Sequence, residues 1–102
     1  MIQSSYELQY KHDNKRFKLN IELGKTGNIS DVRLDGIPSD YRTPFLLQKV
    51  YGWLNSNVAL PRVRLMLQRE TLFPYTEVEF LMRLATDLER LRSAAVATAR
   101  GD

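Results

Sequence analysis

The only histidine of the chain, His12, stands in a run of cationic residues: Lys11, His12, Lys15, Arg16 and Lys18. Gathered on one face, groups of this kind bind phosphate, a nucleic-acid backbone or an acidic protein surface. The same run also suits a solvated hairpin end whose lysines discourage edge-to-edge pairing, and that plainer reading is preferred. Other chemistry is thin. With one histidine and no cysteine, there is no Cys-His pair and no thiolate zinc cluster, and a serine triad would have to draw on His12 at a tip open to water. Asp31, Asp35 and Asp40 lie close together in the sequence, but their spacing matches no metal loop. Gly24-Lys25-Thr26-Gly27 has the words of a phosphate loop; yet the earlier glycine of that motif would fall at Leu19, and the segment joins two strands instead of opening a helix. No catalytic residue, metal site or cofactor is therefore expected.

The cationic run is positioned by a hairpin. Tyr6, Leu8 and Tyr10 alternate with polar residues, as do Phe17, Leu19, Ile21 and Leu23, which is the period of half-buried strands. If the apolar sides share a face, Tyr10 pairs with Phe17, Leu8 with Leu19 and Tyr6 with Ile21, leaving Asp13-Asn14 as a two-residue turn. That register sets Lys11 opposite Arg16, a like-charge pair that costs some tenths of a kcal/mol (~0.2–1). A third strand runs from about Asn28 to Leu34, with Val32 and Leu34 inward and a bulge or longer loop at Ile29.

Helices follow. Thr43-Pro44 reads as an N-cap and a first-turn proline, opening a helix over 43–57 that Ser56-Asn57 end. Residues 61–72 read as a short helix or an edge strand; Pro61 and the flanking helices favour the helix. The most secure element starts at Thr76-Glu77-Val78-Glu79, which has capping-box spacing, with Tyr75 and Phe80 as a hydrophobic staple and Pro74 closing off whatever precedes it. From there a long helix over 77–98 repeats Leu81, Leu84, Leu88, Leu91 and Ala95, with Val78, Phe80, Met82 and Ala85 widening the stripe to roughly 200°. Glu79 and Arg83 are spaced to pair on its wet side, and the tail from Ala94 has little left to bury, so it should fray. The fold class is α+β: an N-terminal three-stranded antiparallel meander over 5–34, then two or three helices, the last one long, in a single domain of 102 residues.

A hydrophobic share of 43% and a charged share of 26% are those of a soluble globule rather than a disordered chain. No signal peptide or membrane span is expected, and the absence of cysteine fits the cytoplasm. The sheet's outer face, with Glu7, Gln9, Lys18, Asn20, Glu22 and Arg33, has no aromatic residue for stacking bases. The favoured function is a small non-enzymatic protein–protein interaction or assembly module (an adaptor, chaperone-like protein or accessory subunit), because the stripes of both helices are wider than one sheet face covers. Phe45, Trp53, Phe73, Met82 and Arg92 are the candidate partner-binding residues, and a homo-oligomer through the long helix is the simplest version. The alternative is a nucleic-acid-binding or regulatory protein contacting phosphate through Lys11, Lys15, Arg16 and Lys18, with His12 beside them.

Overall fold

The computed structural model describes residues 2–12, 14–36, 42–70 and 75–101, and the side chains of all of these except 2, 3 and 75–77. The chain is α+β. Strands β1 (Ile2–His12), β2 (Lys15–Gly24) and β3 (Ile29–Asp35) are followed by helices α1 (Thr43–Asn55), α2 (Leu60–Glu70) and α3 (Tyr75–Ala99). The sheet is an antiparallel meander with β2 in the middle.

Strand alternation and turn chemistry give the register expected from the sequence: Tyr6 faces Ile21, Leu8 faces Leu19, Tyr10 faces Phe17 and Lys11 faces Arg16. Asn14 takes φ 62°, a conformation its short polar side chain tolerates; Asp13 lies outside the described residues. At the other end of β2, the register with β3 slips between Glu22, which faces Asp31, and Leu23, which faces Ile29. The extra residue, Ser30, lets Ile29 and Val32 both turn inward and be buried.

The bulged end of β3 is closed from outside the sheet. The Asn55 amide, at the last turn of α1, accepts from the Ile29 N–H at 2.8 Å and donates to the Ile29 carbonyl at 2.8 Å. One side chain thus takes the place of a neighbouring strand.

The helices all lie on one face of the sheet, α1 over β3 and α3 over β2, with α2 packed on the other two helices. Between them are Phe17, Leu19, Ile21 and Leu23 of the sheet, Leu47, Val50 and Leu54 of α1, Val63 and Leu67 of α2, and Leu81, Leu84, Ala85 and Leu88 of α3. Segment 61–72 resolves as helix over Leu60–Glu70, because Val63 and Leu67, four apart, are buried while Leu65 is 55% exposed. A strand would have buried all three.

Four expectations are corrected. Thr43 is not the N-cap: Arg42 holds that position, and Thr43 begins the helix as a buried residue. The other end is as expected, with Asn57 at φ 64° and bonds from Asn57 N–H to the Leu54 carbonyl and Val58 N–H to the Trp53 carbonyl, both 3.0 Å. Helix α3 begins at Tyr75, two residues before the expected start; the capping box and staple rest on side chains outside the described residues. Glu79 does not pair with Arg83 but with Arg64 of α2. The tail does find a neighbour: Val96 lies against Gly27, whose φ of 91° and lack of a side chain let the two backbones approach. The helix runs on to Ala99, and its 25 residues, about 37 Å at 1.5 Å each, set the molecule's 41 Å long axis.

Candidate functional site

Residues Tyr6, Leu8 and Tyr10 of β1 and Ile21, Leu19 and Phe17 of β2 form the two rows of the hairpin's helix-facing side. On β2 all three are buried. On β1 Tyr6 is 40% exposed and Leu8 and Tyr10 are only half-buried. The cause is topological: β2 is central and lies under α3, whereas β1 is the outermost strand. β1 also has an open edge. The two residues between His12 and Lys15 make that pair hydrogen-bonded, so by alternation the N–H and C=O groups of Ser5, Glu7, Gln9 and Lys11 point away from β2. Among the described residues no backbone group outside the sheet pairs with them. The opposite edge, β3, has Asn55 over its bulged end.

Where α3 passes β1, a cleft of about 350 Å³ is lined by Tyr10, Arg64, Glu79, Met82, Arg83, Thr86 and Asp87. The Tyr10 hydroxyl donates to Asp87 Oδ2, and Asp87 Oδ1 is 3.1 Å from Arg90 Nη2. Burial, the bond to Asp87 and the negative charge of that carboxylate hold the Tyr10 phenol proton well above its ordinary range, against the weaker pull of Arg90 and Arg83. Across the cleft the Arg64 guanidinium meets the Glu79 carboxylate. Each charge that faces the cleft has a partner, except that Arg83 rests its guanidinium over the Phe80 ring, 5.6 Å from its centroid. Such a cleft orders α3 on β1 and offers hydrogen-bonding side chains.

The cationic run is divided by the strand alternation. Lys11 and Arg16 face each other on the outer side of the sheet, with Lys18 two residues along from Arg16. His12 is not at an exposed tip with them. It shares the parity of Tyr10 and stacks on Phe80, centroids 4.4 Å apart and planes at 17°, while Lys15 opposite it falls on the same side by register. Among the described residues no carboxylate forms an ion pair with Lys11, Lys15, Arg16 or Lys18, although Asp35 stands opposite Lys18 in the β2–β3 register. Of the expected acids, Asp35 accepts from Asn20 at 2.7 Å and lies 3.4 Å from Arg33; Asp40 lies outside the described residues.

The partner-binding candidates do not converge. Phe45 is 63% exposed on α1 with Lys49 Nζ over its ring at 5.3 Å. Trp53 is half-buried against the core. Met82, 6% exposed, is a core residue, because β2, α1 and α2 together enclose α3 and its wide stripe needs no second molecule. Arg92 is drawn back by a two-pronged pair with Glu89, at 3.0 and 2.9 Å, and its side chain is 14% exposed. Phe73 lies outside the described residues. The β1 edge and the Tyr10–Asp87 contact were missed as sites, although a meander order alone places β1 outermost.

No helix of the described residues is long and apolar enough to cross a membrane, and among the described residues no three His, Cys, Asp or Glu side chains gather as metal ligands. No family model, curated protein or solved structure matches the chain.

Proposed function

We propose that this chain is a small non-enzymatic protein–protein interaction or assembly module whose docking element is the outer edge of β1. The observation that carries the reading is the contrast between paired rows: every β2 member is buried, and every β1 member is left partly uncovered beside an open backbone edge. Strand addition supplies main-chain hydrogen bonds along that edge and covers the apolar row in the same step. Gln9→Pro tests it. The Gln9 N–H points away from β2, so proline there leaves the β1–β2 ladder intact and removes a donor only from the free edge. Association, followed by size-exclusion chromatography with light scattering and by affinity capture, should be lost while the circular dichroism spectrum and a cooperative melt are kept. Association unaltered in a folded variant would refute the reading.

A second reading has its own observation. Lys11, Arg16 and Lys18 adjoin on the outer face and form no ion pair among the described residues, although Asp35 stands opposite Lys18, which suits phosphate contacts without base stacking. A mobility shift that appears at low salt, fades at moderate salt and vanishes when these three become alanine would support it; no shift at low salt disposes of it.

A further inference from the structure

We infer that the occupant of the β1 edge is a second copy of this chain, added antiparallel about a two-fold axis that passes through Gln9. The inference rests on the reading of β1 as the docking element and identifies its partner.

Three features of the strand select this geometry. The first is parity. The outward-pointing backbone groups belong to Ser5, Glu7, Gln9 and Lys11, so a hydrogen-bonded antiparallel copy must set odd residues opposite odd ones. That leaves three central registers, with the two-fold at Glu7, Leu8 or Gln9.

The second is charge. With the two-fold at Glu7, that carboxylate meets the partner's Glu7. With the two-fold at Leu8, Glu7 meets the partner's Gln9, and Lys11 meets the partner's Ser5. With the two-fold at Gln9, Glu7 meets the partner's Lys11 and, by symmetry, Lys11 meets the partner's Glu7. Only this register pairs opposite charges directly, and it does so twice. It also accounts for an oddity within the single chain. Lys11 is set opposite Arg16, a like-charge pair with no carboxylate partner among the described residues. In the dimer the partner's Glu7 supplies the missing counter-charge from the other side of Lys11.

The third is the apolar row. On the helix-facing side the same register puts Leu8 opposite the partner's Tyr10 and Tyr6 opposite the partner's His12. These are non-hydrogen-bonded pairs, in which side chains approach most closely, with Cα atoms about 4.5 Å apart. The half-covered residues of each chain thereby cover those of the other. Among the described residues the product is one six-stranded antiparallel sheet with all helices on one face, whose only remaining edges are the two β3 strands, each with Asn55 over its bulged end. An isologous contact of this kind closes on itself, so it stops at two copies.

The experiment uses the full chain, which has no native cysteine. Gln9→Cys puts the thiols of two copies opposite each other, Cα atoms about 5.5 Å apart, within disulfide reach, and mild oxidation should give a covalent dimer on a non-reducing gel. Glu7→Cys and Leu8→Cys mark the two-folds of the rival registers. At Glu7 the two copies would lie about 13 Å apart, four strand residues along, so oxidation should give no covalent dimer of that variant. Lys11→Glu should weaken dimerisation about tenfold, and adding Glu7→Lys should restore it, a rescue that mere loss of folding cannot produce. Cross-linking at Glu7 or Leu8 in place of Gln9, or a dimer indifferent to the charge exchange, overturns the register. A monomer at several hundred micromolar, with Gln9→Pro still abolishing capture of another protein, overturns the second copy and leaves the docking edge standing. Capture indifferent to Gln9→Pro overturns both.

Discussion

Asn55→Ala removes one side chain and strands two backbone groups. The Ile29 N–H and C=O lie at the bulge of β3, an edge strand with no strand beyond it, and the Asn55 amide holds both at 2.8 Å. Each bond contributes about 1 kcal/mol net, and a buried group left without a partner costs about 1–3 kcal/mol. The site is only part-buried, so water recovers some of that loss, and the expected destabilisation is about 2–3 kcal/mol. In a domain of this size that lowers the melting temperature by roughly 10–20 °C. Asn55→Asp sharpens the test. Its carboxylate still accepts from the Ile29 N–H but faces the Ile29 carbonyl with no proton to donate, at the negative end of α1. The folded state therefore raises this carboxyl's pKa, so the variant is relatively most stable below the ordinary carboxylate range, where the protonated group donates again. It loses that advantage as pH rises through the folded value. Denaturant unfolding of both variants at acidic and neutral pH measures this. An alanine variant within about 0.5 kcal/mol of the parent, or an aspartate variant equal to the parent at neutral pH, would show that the amide does not act as a strand.

Three further outcomes follow from particular contacts. Tyr10→Phe should cost about 1 kcal/mol by losing the bond to Asp87. Because the phenol pKa is raised on folding, its stabilisation is complete below about pH 10, its unfolded value, and falls away at higher pH; an ultraviolet titration should show one tyrosine ionising after the others, and no laggard among the tyrosines would count against the contact. Gly27→Ala should destabilise by about 2 kcal/mol or more, since a Cβ at φ 91° would stand 2.6 Å from the Val96 backbone N. Gly52→Ala, on the exposed side of α1 with nothing within 4 Å, should instead stabilise by about 0.5–1 kcal/mol; thermal melts that fail to separate the two glycines in sign would refute the packing of α3 on the β2–β3 turn. Leu67→Ala should cost about 2–5 kcal/mol and Leu65→Ser no more than about 0.5 kcal/mol, a disparity that a strand over the same residues would not give.

What could be read from the residues was whatever a short-range rule governs. The hairpin register needs only the alternation of Tyr6, Leu8 and Tyr10 against Phe17, Leu19 and Ile21, and a turn residue able to take positive φ; both are local. The end of α1 is legible at Ser56-Asn57 for the same reason. Apart from the first residues of α1 and α3, each placed off by one or two positions, the misreadings concern what lies beside an element. The stripe of α3 was wide enough to call for a second neighbour, and the one supplied is α2, whose own identity as helix was open; without it, Met82 looks like a surface residue. His12 went to the hairpin tip by its place in a charged run, although its even number puts it in the row of Leu8 and Tyr10, under Phe80. Glu79 had a partner four residues on and took Arg64 instead, because a guanidinium arriving from another helix competes on equal terms with one on the same helix. The like-charge pair of Lys11 and Arg16 is the opposite case. The sequence flagged its cost, and the folded chain leaves that cost in place: among the described residues neither cation forms an ion pair, and Asp35, across from Lys18, is turned to Asn20 and Arg33. A cost that folding does not relieve is the kind that association can, and Glu7, four residues back on the same open edge, is the one acid on that strand placed to relieve it.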